Sequence, residues 1–262
     1  MSNTVLIGQY QETYSIFHRL DPRTKILAII LLMISFLMLD SFVSYTIATI
    51  FVMSILLLSK IPLFVFVKGL KPILFILLFT FLYHVIFTTG NVIWSWSFIH
   101  ISVEGLQNGT RYVWRILLLI LLASILTLTT KPLVLADGLV KLLSPLSKFN
   151  IPVEQFALMI VIAIRFIPTI LQELDRILLA QKARGHDVTV LPLHKRIFAY
   201  IPMLIPLLFT IIQRAEQLTF AIDARAYGNG KGRTTFKLLK FQQLDYVVGI
   251  IVILMIVILL FV

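Results

Sequence analysis

The feature that most constrains this chain is a series of long stretches without a single Asp, Glu, Lys or Arg: Ile26–Leu39, Ser41–Ser59, Pro72–Val103, Ile116–Thr130 and Tyr246–Val262. A helix needs about 20 mostly apolar residues to cross the hydrocarbon core of a bilayer. Composition agrees: 59% of the 262 residues are hydrophobic and 13% are charged, against about 45–50% and about 25% in ordinary globular domains. A soluble fold could not hide that much apolar surface, so a soluble enzyme and a disordered scaffold are both excluded. The chain reads as an all-α polytopic membrane protein with about five transmembrane helices, plus a cytoplasmic or interfacial bundle of long amphipathic helices.

The first two runs share a short hinge, Asp40-Ser41-Phe42, and form a helical hairpin. Pro72–Thr89 is a third span, about 112–130 a fourth and Tyr246–Val262 the last. Between the third and fourth, Gly90–Gly109 reads as a loop, because Gly90, Asn91, Gly105, Asn108 and Gly109 interrupt the apolar pattern. Residues 1–25 are mostly polar and no small-residue cleavage site follows the first run, so the start reads as a retained tail and not as a signal peptide.

Charge orients the spans. Three Lys/Arg lie in residues 1–25 and three more at Lys60, Lys68 and Lys71, whereas the Asp40 hinge and the 90–110 loop flanks carry few or none. From Lys131 to Lys240 there are fifteen basic residues against seven acidic ones. Excess Lys and Arg mark cytoplasmic segments, so the expected organisation is an N-terminal tail with four spans over 1–130, a cytoplasmic region over 131–240, and a final span over 241–262. This accounts for the net charge of +11 without nucleic acid. Two uncharged runs inside the cytoplasmic region, Gln155–Ile164 and Ile197–Gln213, are read as buried or interfacial helices. The first is short and abuts Arg165, whose charge is costly at bilayer depth; the second carries Pro202 and Pro206. Arg165 is expected to be a buried structural charge with a carboxylate or carbonyl partner, and Arg115, just inside the fourth span, to snorkel outward.

That region holds a short repeat. The segments Glu173–Gly185 and Arg214–Ala226 align so that Asp175 matches Glu216, Ala180 matches Ala221, and Ala183-Arg184 matches Ala224-Arg225. Both have helical apolar periodicity. Arg184 follows Ile177 by seven residues and Arg225 follows Leu218 by seven, so each arginine continues the apolar stripe and leaves the polar face. An arginine beside a C-terminal glycine is an ordinary helix cap. Its occurrence twice, on the apolar seam and after a small alanine, points instead to a planar fork of donors offered to a partner.

Other chemistry is thin. There are no cysteines, which excludes thiolate metal sites and disulfides. The five histidines, His18, His84, His100, His186 and His194, share no metal-ligand spacing on a helix, and His84 within the third span is expected to hydrogen-bond another helix. Gly228–Thr234 lacks the spacing of a phosphate loop and reads as a cytoplasmic turn. Asp21-Pro22 is a helix-start pair, with Arg19, Arg23 and Lys25 facing lipid head groups. A secondary transporter would usually carry ionisable groups near the midplane, and an intramembrane enzyme a polar catalytic cluster; neither pattern stands out.

A resemblance is carried by an ordered set of segments: Leu6-Ile-Gly-Gln-Tyr10, His18-Arg-Leu-Asp-Pro-Arg-Thr-Lys25, Gly69-Leu-Lys-Pro72, Leu126-Thr-Leu-Thr-Thr130, Ala163-Ile-Arg-Phe-Ile-Pro168 and the two Ala-Arg motifs. In these the chain resembles the transmembrane T component of energy-coupling factor transporters, ATP-driven importers of vitamins and related micronutrients. The resemblance implies a multi-pass protein of the cell membrane that neither hydrolyses ATP nor binds the vitamin. It implies two ATP-binding partner subunits, which carry the ATP and magnesium, and a separate membrane S component that binds the substrate. The motifs Ala183-Arg184-Gly185 and Ala224-Arg225-Ala226 would then meet the ATPases. Leu204 and Leu208, on an apolar surface larger than one short domain consumes, are expected to face the S component or the membrane interface. The second motif departs from the family pattern by ending in Ala226, which suggests a later cap at Gly228.

Overall fold

A computed structural model describes residues 10–96, 99–149, 152–185, 192, 198–227 and 241–261. Its helices are α1 (Ile16–Arg19), α2 (Pro22–Leu37), α3 (Phe42–Leu58), α4 (Leu63–Leu70), α5 (Leu74–Phe87), α6 (Val103–Thr129), α7 (Pro132–Leu143), α8 (Val153–Ala183), α9 (Ile201–Ala224) and α10 (Gln243–Phe261). A 3₁₀ turn, Lys71–Ile73, joins α4 to α5 into one continuous apolar element. The chain divides into two units, residues 1–142 with 239–262, and residues 143–238.

The first unit packs α2, α3, α6 and α10 around Leu32, Phe36, Ala48, Val52, Leu118, Leu122, Val252 and Met255. Many other large apolar side chains on these helices face outward, among them Leu31, Ile34, Ile50 and Leu254. That inversion is what lipid requires: helix association in a membrane relies on close packing and polar contacts, not on removing apolar surface from water. By length and composition Leu63–Phe87, Val103–Thr129, Val153–Ala183 and Gln243–Phe261 can each cross a membrane, with Phe42–Leu58 a shorter apolar helix.

Gly105 and Gly109, expected in a loop, stand inside α6, which starts nine residues before position 112, the start expected for the fourth span. The loop itself contains a small antiparallel hairpin, β1 (Val92–Trp96) with β2 (Ile99–Ser102). The glycines are spaced as Gly-x-x-x-Gly because the helix lies hard against α5. A Cβ on Gly105 would sit 2.9 Å from the His84 carbonyl oxygen, and one on Gly109 would sit 3.2 Å from that of Phe81. Ser102 starts the helix: its Oγ accepts from the Gly105 amide at 3.0 Å and donates to the Thr88 carbonyl at 2.7 Å. His84 stacks on Tyr112, with centroids 4.4 Å apart, and among the described residues it does not form the interhelical hydrogen bond expected of it.

At the end of this unit where the chain enters, residues 10–20 lie across the helix termini. The Gln11 amide donates to the Leu128 carbonyl at 3.0 Å. Glu12 pairs with Lys131 at 2.7 Å, a contact that lowers the carboxyl and raises the ammonium from their usual ranges. His18 sits among Ser15 Oγ, the Gln11 carbonyl and the edge of Tyr10, and burial pushes its ring below the ordinary histidine value. At the other end, Arg115 does not simply snorkel. Its guanidinium donates to the Leu39 carbonyl and to the Tyr45 hydroxyl, with Asp40 at 3.7 Å, and so holds the α2–α3 turn onto α6.

Lys25 faces inward, contrary to its expected place at the head groups. It is buried, and its Nζ donates to Thr130 Oγ1 at 2.9 Å and to the Thr129 carbonyl at 3.3 Å. Asp245 is also buried; it accepts from the Asp21 amide at 2.8 Å and from the Gln242 amide at 2.7 Å. Asp21 in turn caps α2 through the Arg23 amide. The start of α2, the end of α6 and the start of α10 are thus joined through the buried Lys25 and Asp245, each held by hydrogen bonds as buried charges require.

Candidate coupling surface

The second unit is built on α8 and α9. The run Gln155–Ile164, read as too short to be more than an interfacial piece, belongs to a helix of 31 residues that continues through Pro168. Helix α9 starts with Pro202 in its first turn, where the missing amide costs nothing, and carries Pro206 inside. The two helices pack together, with Arg214 Nη2 at 3.6 Å from Glu173 Oε2. These are the first residues of the two aligned segments. Each lies eleven residues before its arginine, Arg184 or Arg225, which places each arginine about 16 Å along its own helix from that contact.

The helix ends match in detail. Ala183 and Ala224 are the last helical residues, and Arg184 (φ −83°, ψ 5°) and Arg225 (φ −88°, ψ 10°) are the caps. The next residue is left-handed in both, Gly185 at φ 89° and Ala226 at φ 50°. The Gly185 amide donates to the Lys182 carbonyl at 3.0 Å, and the Ala226 amide to that of Asp223 at 2.9 Å. The Tyr227 amide completes the second cap by donating to Ile222 at 3.2 Å. This is the Schellman arrangement. The later cap suggested at Gly228 is therefore corrected: the helix ends at Ala224 with Arg225 as its cap, and Ala226 adopts the left-handed conformation that glycine takes more cheaply. Gly228–Thr234 lies outside the described residues.

All six motif residues are exposed. Neither Arg184 nor Arg225 has a hydrogen bond or ion pair to its side chain among the described residues. Their caps are closed by backbone amides, so the guanidinium groups are not needed to end the helices. The seam residues seven positions earlier, Ile177 and Leu218, are half-buried. Leu204 and Leu208 are also exposed, whereas their helix neighbours Met203 and Leu207 are buried. Ile201, Ile205 and Ile212 extend the open apolar face. Arg165, expected to be buried with a partner, is exposed and unpaired among the described residues, because α8 buries only Val153.

Sequence reasoning missed the Glu173–Arg214 contact and the Lys25–Thr130–Asp245 junction. The signals were present: opposite charges at the same repeat position, and a Lys one helical turn after Asp21.

The cobalt transport protein family, CbiQ, matches residues 13–238. A protein of Ruminiclostridium cellulolyticum described as energy-coupling factor transporter transmembrane protein EcfT is 41% identical over 97% of this chain and 96% of its own length. Relatives of the same description in Bacillus subtilis (40% identical, over 94% of this chain and 93% of the relative) and Acidaminococcus fermentans (38%, over 100% and 97%) agree. The chain belongs to the energy-coupling factor transporter T-component family. It is accordingly a multi-pass transmembrane component of a transporter, and both arginine motifs lie within the matched length.

Proposed function

We propose that this T component transmits ATP binding and hydrolysis, carried out by two separate ATPase subunits, to a membrane S component that brings in a vitamin or similar micronutrient. The observation that carries the proposal is the pair of equivalent helix ends, each presenting a cap arginine, unpaired among the described residues, after a small alanine. Two similar ATPases require two similar sockets' worth of contact, and the repeat supplies them. An arginine entering such a groove is desolvated and held by carboxylates or carbonyls; removing it leaves those groups unpaired, at a cost of about 2–5 kcal/mol. The open Leu204 and Leu208 face supports a contact with the S component. The chain itself is proposed to hold no catalytic residue, metal or cofactor, with ATP and magnesium bound by the partners. The tail and residues 131–240 face the cytoplasm on the charge distribution.

The test is substrate uptake and subunit co-purification, with expression matched, for Arg184→Ala, Arg225→Ala and the double substitution. The singles are expected to weaken assembly unequally, and the double to abolish uptake, with ATPases lost or their hydrolysis uncoupled. Lysine at either position should rescue only partly, because it lacks the planar fork. Normal uptake by the double variant would reduce the arginines to helix ends.

A further inference from the structure

The α2–α3 hairpin is too short for the helix it packs on. Helices of 16 and 17 residues reach about 24–26 Å, against about 40 Å for the 27 residues of α6 and a hydrocarbon core of about 30 Å. Because Trp114 Nε1 donates to Thr49 Oγ1, the start of α3 at Phe42 comes opposite residue 107. Residues 103–106 of α6 therefore rise past it by about 6 Å. At this step α3 and α6 flank an open groove of about 540 Å³. Phe42, Thr46 and Thr49 line one side, and Gln107, Arg111 and Trp114 the other.

The chemistry of the groove is divided. Its α3 side is apolar at Phe42 and Ile50, both strongly exposed. Trp114 faces that side, half-exposed, its indole Nε1 donating to Thr49 Oγ1 at 2.9 Å, the amphipathic placement that tryptophan adopts at a membrane boundary. Across from it lie Gln107, Thr110 and Arg111. Arg111 is exposed and makes no ion pair or hydrogen bond among the described residues. The neighbouring acid, Asp40, is already opposed by Arg115. A shortfall of hydrophobic length has to be met by local thinning of the bilayer or by a molecule that fills the step, and here an unopposed cation stands beside an apolar helix face.

We propose that this step holds an anionic phospholipid of the adjoining leaflet, which is the outer leaflet on the orientation given above. The phosphate would lie on Arg111 with Gln107 as a further donor, and an acyl chain would descend over Ile50. The inference rests on the length mismatch and on Arg111, and is independent of the coupling role of Arg184 and Arg225.

The assay uses the full chain assembled with its partners in nanodiscs and a photo-reactive amino acid at Ile50, with phosphatidylglycerol and phosphatidylcholine offered in equal amounts. Cross-linked lipid is identified by mass spectrometry. The expected result is a roughly fivefold preference for phosphatidylglycerol, the scale of one basic residue at a membrane surface, lost in Arg111→Gln and retained in Arg176→Gln, an exposed arginine of the second unit. Equal labelling by both lipids in the unsubstituted protein overturns the proposal without recourse to any variant. So does cross-linking of position 50 to a partner protein in place of lipid, which would make the step a subunit contact. Loss of uptake in Arg184→Ala/Arg225→Ala with lipid capture unchanged would separate the two readings.

Discussion

Lys25 and Asp245 show how much one residue can decide at a membrane boundary. Each is buried, and each is tolerable only because the chain supplies partners: Thr129 and Thr130 for the ammonium, and the amides of Asp21 and Gln242 for the carboxylate. Removing one side of such an arrangement leaves the other desolvated and unpaired, at about 3–5 kcal/mol. Asp245→Ala should therefore lower the thermal unfolding midpoint of the detergent-solubilised protein sharply, and Asp245→Asn by less, since the amide keeps one acceptor. An unchanged midpoint in Asp245→Ala would mean that water already reaches the junction. Ala226 makes the opposite case. A non-glycine residue in the left-handed region costs about 1–2 kcal/mol, so Ala226→Gly should stabilise the end of α9 by about 1 kcal/mol, and Gly185→Ala should destabilise α8 by a similar amount. Hydrogen exchange at the amides of residues 222–227 and 182–185 reports both, and unchanged protection in the two variants would show that these caps carry no strain.

At the scale of elements, the contact between α5 and α6 depends on what is missing from Gly105. A methyl group there would meet the His84 carbonyl at 2.9 Å and the Val85 carbonyl at 3.1 Å, both backbone atoms that cannot swing aside. Gly105→Val should force the helices apart and cost about 1–3 kcal/mol of overpacking. Gly109→Ala, whose nearest atoms include the movable ring of Phe81, should be milder. A cysteine pair across α5 and α6 that cross-links equally in Gly105→Val and in the parent would count against this packing. These glycines also explain why the loop between the third and fourth spans was over-read from sequence. Gly and Asn in a polar stretch signal a turn, but in a membrane helix the same glycines let two backbones approach, and only the neighbouring helix distinguishes the two uses. The hairpin Val92–Trp96 with Ile99–Ser102 was hidden for a related reason, since its residues continue an uncharged run that hydropathy cannot divide.

At the scale of the whole molecule, the orientation proposed from charge is directly testable, because the chain has no cysteine. Asn91→Cys, in the connection between α5 and α6, should react from outside intact cells with an impermeant thiol reagent. Leu179→Cys, exposed on α8, should react only after permeabilisation. External labelling at position 179 would place α8 across or beyond the membrane, a location its length and hydropathy alone permit. The charge balance of 131–240 argues for the cytoplasmic side, and the labelling pattern decides between them.

The sequence by itself determined that the chain lives in lipid and that two arginine-ended segments repeat. Those properties follow from local composition and spacing: an uncharged run is apolar whatever it packs against, and a repeat is visible without a fold. Its family was equally legible in the order of short motifs. Only the tertiary structure decided that Lys25 turns inward, that Arg165 stays exposed, that Ala226 takes the conformation of Gly185, and that Glu173 meets Arg214. Each depends on which distant residue comes within hydrogen-bonding or ion-pair distance, Thr130 lying 105 positions from Lys25 and Arg214 on another helix from Glu173. Burial of a charge is a property of its neighbours, and neighbours more than a helical turn apart are set by packing, which no local pattern records.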